Sequence, residues 1–513
     1  MKIKLYQYCL VFAGIFALTT SCSDSFLQVT PIAESFESDY YKTSDQVFNG
    51  LTAVYSNLSV EVGYGQGWYC NKLGPLNCAS DECYAGGGNS GDLTSWQVWN
   101  NYTLSAAVGP QLQFWAVDYA GIYRANVLLQ KLDIANAISG LTPEMRTRYV
   151  AETKTLRAYY YFELVRLFKN VPLILTPVSP NDMYNILQAK PADVYTQIEK
   201  DLNEAIPDLP SVVASTENGR LTKGAAMAML GKAIIYQNVE SRMAEAAGWL
   251  NKVNTSGVYS LLPNYGDLFD AANKFNKESI LEIVHSGSQK IGWGSAFFYG
   301  NVYVVMNGPR SYSPGTVASD PSHTYVSGWS FNPIIKSFAA SIHSDPRYKY
   351  TVADLDSLVA IHQATYDGTA GYMNTGLFIQ KYAPLAKWTP TAGDPNLNYP
   401  NDYIEIRLAD TYLLEAEASV RANNGAVTAR AQSLLDAVRA RVGLASKPAT
   451  LDNIYEERRL ELATEGHRWY DLVRTGKAPS ALASKGFKAG KNEILPIPME
   501  DMNNSKLVQN PNY

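Results

Sequence analysis

A chain of 513 residues, 46% hydrophobic and 18% charged, can bury a sizeable core, and its length alone allows about three domains. Its 43 Lys and Arg against 48 Asp and Glu leave a net charge of -5, which argues against a nucleic-acid partner, because neutralising phosphates demands a basic excess. No HExxH, GxSxG or GxxxxGKS/T occurs, so the commonest zinc-peptidase, serine-hydrolase and P-loop signatures are missing as well.

At the start of the chain, Lys2 and Lys4 precede an unbroken apolar run over residues 9–18. Such a run is too short for a bilayer, which takes about 20 apolar residues. A charged start, a short apolar middle and the small exit residues Thr19, Thr20 and Ser21 predict a removable secretory signal over 1–21. Cys22 then becomes the first residue of the mature chain, the arrangement of a bacterial lipoprotein whose thiol is acylated. Thr19, three before the cysteine, departs from the aliphatic residue usual there; Leu18 lies one position further back. Acyl burial contributes about 0.8 kcal/mol per CH2 and stable anchoring takes more than one chain, which the several chains of such a modification supply. The remaining thiols, Cys70, Cys78 and Cys83, predict one local disulfide in an exported protein, with the pair left open. Zinc is disfavoured, since no CxxC pair or nearby histidine completes four ligands.

Further along, "AETKTLRAYYYFELVRLF" places Leu156, Tyr160, Leu164 and Leu167 on one helical face, with Asn170 and Pro172 as the stop. "GAAMAMLGKAIIYQNV" (224–239) carries Ala225, Ala226, Ala228 and Gly231, small enough for a second helix to approach closely. Near the other end, "IEIRLADTYLLEAEASVRA" and "AVTARAQSLLDAVRARVG" predict an antiparallel helix pair turning at Asn423, Asn424 and Gly425. Its members face each other through Ala409, Leu413, Ala416 and Val420, and through Leu434, Val438 and Val442. Such pairs resemble tetratricopeptide units and predict a mostly α fold built as an α-α superhelix. Between them, residues 287–328 hold seven glycines with Pro309, Pro314 and Pro321, which predicts loops and a few short strands such as 302–306. The expected organisation is a helical region over 22–240, a loop-rich lobe over 241–400 and a helical region over 401–513, with 22–513 as one compact unit.

Two stretches could carry chemistry. In "ERRLELATEGHRWYDLVRTG", Glu461, Glu465, His467 and Asp471 could form an acid/base cluster. The structural reading is preferred: on one helix Glu465 pairs with Arg468 while Leu462, Trp469 and Val473 face a core. The aromatic loops are more suggestive. From 83 to 117 the sole charged residue is Asp92, and from 291 to 319 it is Arg310, although both stretches are rich in Trp, Tyr and Phe. A pyranose ring stacks its C–H face on an aromatic plane while its hydroxyls need amide and carboxylate partners. The 35 Tyr against 16 Phe favour aromatic surfaces that meet water. Trp96, Trp99, Trp293, Tyr299 and Trp329 are therefore the candidate ligand-binding aromatics, with Asn100, Asn101 and Asp81 as polar partners; Trp115, among apolar helical neighbours, reads as core.

Taken together, "SFESDYYKTSDQVFNGLTAVYSNL", "AETKTLRAYYYFELVRLFKNVPLIL", "RLTKGAAMAMLGKA", "YSLLPNYGDLFD", "DYIEIRLADTYLLEAEA", "ERRLELATEGHRWYDLVRTGK", "EILPIPMED" and the closing "QNPNY" resemble the SusD/RagB outer-membrane lipoproteins of Bacteroidetes. The resemblance implies a lipid-anchored, cell-surface nutrient-binding lid over a SusC-type TonB-dependent transporter, built on four tetratricopeptide-like helix pairs that face the barrel. It implies no catalysis and no cofactor, and leaves open whether calcium sits in a loop. Glycans are bound by many members and oligopeptides by the RagB branch. Asp81 and Glu82 match an "SDE" that recurs near the first loop of the family. The uncharged loops favour a mostly neutral glycan; an oligopeptide binder, a surface hydrolase using Glu465 and His467, and a pure interaction scaffold are the alternatives.

Overall fold

Helices dominate the computed structural model, which describes residues 40–61, 71–134, 138–179, 181–293, 299–314, 324–362 and 364–513. The principal ones are α1 Ser44–Tyr55, α2 Leu73–Ala79, α3 Thr94–Asn100, α4 Gln111–Ile134, α5 Pro143–Phe168, α6 Pro191–Ala205, α7 Lys223–Tyr236, α8 Met243–Asn254, α9 Tyr303–Asn307, α10 Leu408–Ala422, α11 Ala429–Arg441, α12 Leu451–Glu461 and α13 Arg468–Arg474. Four of them start alike: the hydroxyls of Thr142, Thr222, Thr428 and Thr450 accept from the backbone N–H three residues on. Each such cap stabilises its helix by about 1 kcal/mol. α5 ends as expected, at Lys169 in the left-handed region (φ 67°) ahead of Asn170 and Pro172.

The chain divides into two units, residues 1–47 with 136–141, and residues 48–135 with 142–513. In the first, Thr43 and Ser139 form a parallel bridge, with Ser44 N–H donating to the Ser139 carbonyl at 2.9 Å. In the second, α4 packs on α5 and α5 on α6, while α7, α8, α10 and α11 pack successively. These antiparallel pairs make the fold mostly α, with tetratricopeptide-like units. Sandwiched between α4 and α6, α5 is buried on every face over 155–168, well beyond the single stripe that its leucines suggest. At the α7–α8 crossing, a Cβ on Gly231 would lie 2.7 Å from Leu250 Cγ, which is why a small residue stands there.

The strands are short and antiparallel. β1 Ser279–Ile283 pairs with β2 Tyr403–Arg407; three further two-stranded ribbons join 171–172 to 188–189, 312–313 to 365–366 and 352–354 to 377–379. One apolar cluster joins Leu73, Cys83, Trp96, Val302, Met306, Phe331, Ile334, Tyr382, Leu397, Tyr403 and Ala463, drawing on the first, middle and last thirds of the chain. Among the described residues no helix is long and apolar enough to cross a membrane.

Several expectations need correction. Of residues 302–306, Val302 is the N-cap and 303–306 lie in α9 rather than in a strand, for a five-residue apolar run has no period to tell the two apart. The stretch "IEIR" is strand β2, not the first turn of a helix; Ile404 and Ile406 suit a pleated, buried position. Residues 457–476 do not form one helix: α12 stops at Glu461, the chain turns through Thr464 (φ 65°) and Gly466 (φ 79°), and α13 starts at Arg468. Val442 lies at the end of α11, partly exposed, instead of inside the pair. The expected disulfide is not formed by Cys78 or Cys83, which are free and fully buried. Cys78 Sγ lies 3.1 Å from the Gly74 carbonyl inside α2, and Lys485 Nζ donates to the carbonyls of Cys78 (2.6 Å) and Cys83 (2.7 Å). The signal over 1–21, Cys22 and Cys70 lie outside the described residues.

Candidate functional site

The glycine-rich loop 86–92 is stitched to two other segments through backbone hydrogen bonds, and one of these to a third. Gly86 N–H donates to Phe331 O (2.8 Å), Gly87 N–H to Ser330 O (2.7 Å) and Tyr372 N–H to Gly87 O (2.8 Å). Ser330 N–H in turn donates to Gly308 O and Trp329 N–H to Val305 O, at 2.7 and 2.9 Å. The approach tolerates no side chain at one point: a Cβ on Gly86 would stand 1.9 Å from Ser330 O. A loop region without regular structure is thereby held rigidly enough to present side chains.

Those side chains include the sole charges of the two uncharged aromatic stretches, and they meet. Arg310 Nη2 lies 3.3 Å from Asp92 Oδ2, with the two side chains 32% and 33% exposed. Asp92 Oδ2 also accepts from Gly88 N–H at 2.7 Å. Arg310 Nε donates to the Trp329 carbonyl, and Arg310 N–H to Ser330 Oγ, both at 2.9 Å. Trp329 is half-buried against the core, and Trp293 stacks on it with centroids 6.1 Å apart and planes inclined by 28°. Trp293 is 48% exposed. The chain leading to it is clamped by Asn398, whose side-chain oxygen accepts from Ile291 N–H (3.3 Å) and whose amide donates to Ile291 O (2.9 Å). Tyr299 is also 48% exposed, its carbonyl accepting from Ser286 N–H at 2.6 Å. Two near-parallel indoles, one of them open to solvent, offer a broad apolar plane beside a donor and an acceptor of zero net charge.

The other nominated residues serve the fold. Trp96 and Trp99 are 1% and 0% exposed, so neither indole presents a face to a ligand, and the expectation for both is corrected. Spaced three apart on α3, they point inward together: Trp96 packs on Phe331 (5.8 Å) and Trp99 edge-on against Trp469 (5.3 Å) and Phe114 (5.9 Å). Asp81 is held by Arg468 through two hydrogen bonds of 2.7 and 2.9 Å, which ties the loop after α2 to α13. Burial would raise its carboxyl, but Arg468 and Arg459 outweigh that and hold it below the ordinary range. Glu82 has no such cation in contact; burial pushes it up to about 7. Asn101 caps the end of α3 in an exposed position and accepts from Asn100 Nδ2 at 2.7 Å. Trp115 is core, as read from its neighbours. The structure thus brings together Trp293 and Trp329, leaves Tyr299 and Asn101 exposed, and adds Asp92 and Arg310. Each of these two had been legible as the lone charge of its stretch, though nothing in the sequence says that they pair.

The acid/base cluster is a buried ion network. Glu465 accepts from Lys381 at 2.6 Å and from Arg407 at 2.9 Å, not from Arg468 as a continuous helix would have it. Glu461 accepts from Arg347 (2.9 Å), Arg407 (2.5 Å) and Arg441. Burial alone would raise Glu461; the three guanidiniums outweigh it and hold the carboxyl far below its ordinary range. Asp471 is likewise held at about 2 against burial, by Arg458 and Arg474. All four members are buried or nearly so; the three carboxylates have their charges spent on cations, and His467 is kept neutral, its pKa lowered to about 4 by burial and then by Lys232. Among the described residues no group of three or more His, Cys, Asp or Glu is placed to hold a metal ion.

The SusD family matches residues 345–513, and a family described as starch-binding and associating with the outer membrane matches 79–235. A laminarin-binding SusD-like protein superposes with a TM-score of 0.85 at 45% identity, covering 92% of this chain and 100% of that one. Surface glycan-binding protein A from Bacteroides thetaiotaomicron, in complex with laminarihexaose, superposes with a TM-score of 0.81 at 26% identity, covering 91% and 99%. SusD-like protein P2 of Formosa agariphila is 25% identical over 534 residues, 99% of this chain and all of the relative.

Proposed function

Since this chain belongs to the SusD family, we propose that it captures a neutral glucan of the laminarin type and delivers it to a SusC-type TonB-dependent transporter. The observation that carries this reading is the stacked pair Trp293 and Trp329, the first indole exposed and the second half-buried, beside the Asp92–Arg310 pair whose charges cancel. A sugar ring lying on the exposed indole buries C–H groups without stranding its hydroxyls, which stay free for water, for Asp92 and for Arg310. Similarity to a protein that binds laminarin and to one solved with laminarihexaose supports the glucan class. Lipidation at Cys22 would tether the domain to the outer membrane facing outward, so that capture and hand-over occur beside one barrel. Modest affinity suffices for such a lid, because the transporter encloses the ligand afterwards. No step of this function requires bond cleavage, and the sequestered state of Glu465 and His467 supports a binding role over a hydrolytic one.

Isothermal titration of residues 23–513 against laminarin and against mixed oligopeptides tests the reading. Heat from laminarin alone is expected; heat from the peptides with silence from laminarin overturns the substrate class.

A further inference from the structure

Arg310 poses a question for a site that handles uncharged sugars. A guanidinium beside an aromatic platform is the arrangement that recognises carboxylates, through two parallel charge-assisted hydrogen bonds. Here that capacity is occupied. Asp92 stands 3.3 Å from Arg310 Nη2, and Asp92 is itself fixed by Gly88 N–H, so the acid cannot swing away without losing a backbone hydrogen bond. Arg310 is fixed in turn by the Trp329 carbonyl through Nε. Asp367, whose N–H donates to the carbonyl of Ser311 next along from Arg310, turns its carboxylate onto Thr369, accepting at 2.9 and 2.6 Å.

We propose that the Asp92–Arg310 pair sets the charge specificity of this surface: it offers hydroxyls a donor and an acceptor while cancelling the attraction that would otherwise draw uronic-acid polymers onto Trp293 and Trp329. The inference rests on the tryptophan pair being the glycan platform. An approaching uronate gains from Arg310 what it loses to Asp92, and both ions would have to shed water and each other to receive it. A neutral glucan meets no such balance.

The test is titration of the wild type, Asp92→Asn and Arg310→Gln with polygalacturonate, at about 20 mM and about 300 mM salt, with laminarin run in parallel. Asp92→Asn releases the guanidinium, and its affinity for polygalacturonate should rise about tenfold over the wild type at low salt and fall back at high salt. Arg310→Gln should show no gain. Asp92→Ser, which keeps an acceptor for Gly88 N–H, should reproduce the gain should the asparagine variant fold poorly. No gain in either Asp92 variant, or an equal gain in Arg310→Gln, overturns the proposal. The laminarin arm reports separately on the proposed function: a wild type silent to laminarin, alongside the polygalacturonate gain, would refute the neutral glucan and uphold the role of the pair.

Discussion

His467 should make the protein less stable as the pH falls from 7 to 5, and the size of the loss follows from its surroundings. It sits buried at the turn between α12 and α13, where burial first and Lys232 second lower its pKa from 6.5 to about 4, against the pull of Asp410, Glu465 and Glu405. In the unfolded chain the imidazole takes its proton below about pH 6.5, while the folded protein refuses it until about pH 4. Through that window the unfolded state binds more protons, so stability is complete above the unfolded value and declines as pH drops. At about 1.4 kcal/mol per pH unit, the decline from pH 7 to pH 5 comes to about 2 kcal/mol. Glu82 and Glu282 act in the opposite sense: burial raises both to about 7, so they protonate in the folded state first and their penalty eases over the same window. The raw pH slope therefore mixes both signs, and the variant His467→Gln isolates the histidine. Urea unfolding at pH 7 and pH 5 should show the wild type losing about 2 kcal/mol more than His467→Gln. Equal losses would refute the claim that His467 is buried uncharged.

Gly86→Ala puts a methyl against Ser330 O and should cost about 1–3 kcal/mol and weaken glucan binding, whereas Gly292→Ala, which meets nothing within 4 Å, should leave the melting temperature unmoved. Glu461→Gln leaves Arg347, Arg407 and Arg441 without their shared carboxylate and should destabilise by about 3–5 kcal/mol in chemical denaturation; a loss below 1 kcal/mol would contradict the network. Cys78 and Cys83 are buried, and burial pushes the Cys78 thiol up to about 12, so peptide mapping after alkylation at pH 8 should find both unmodified until urea is added. Labelling of the native protein at Cys78 would show that α2 opens, and at Cys83 that the loop after it does.

Long periodic stretches were the legible part of the fold. The α5 sequence announces one of its faces and its stop at Asn170 and Pro172, while its start at Thr142 was not read; the turn at Asn424 and Gly425 occurs as read, with φ of 51° and 83°. Short apolar runs were not legible, because 302–306 and "IEIR" contain too few residues to show a period, and the choice between helix and strand is made by what each packs on. The break between α12 and α13 was hidden for another reason. Glu465 and Arg468 look like a helical pair in sequence, and only tertiary partners far along the chain, Lys381, Arg407 and Asp81, reveal that each points elsewhere. At the site, low charge in an aromatic stretch identified the right loops but could not sort their tryptophans. Trp96 and Trp99 share a helical spacing of three that marks an inward face, a core signal outweighed in the reading by the polar neighbours Asn100 and Asn101. Trp293 and Trp329 stand in irregular backbone, where no period exists to bury them.

The central claim is that Trp293 and Trp329 form the surface on which a neutral glucan lies, and titration of the double variant Trp293→Ala/Trp329→Ala with laminarihexaose tests it most directly. Losing a stacked anchor of this kind costs about 2 kcal/mol or more, so the account predicts binding at least about 30-fold weaker than the wild type; Trp329 packs on the core, so its loss also lowers the melting temperature, whereas Trp293→Ala alone, at an exposed position, should weaken binding and leave the melting temperature unchanged. Undiminished affinity in the double variant would contradict it.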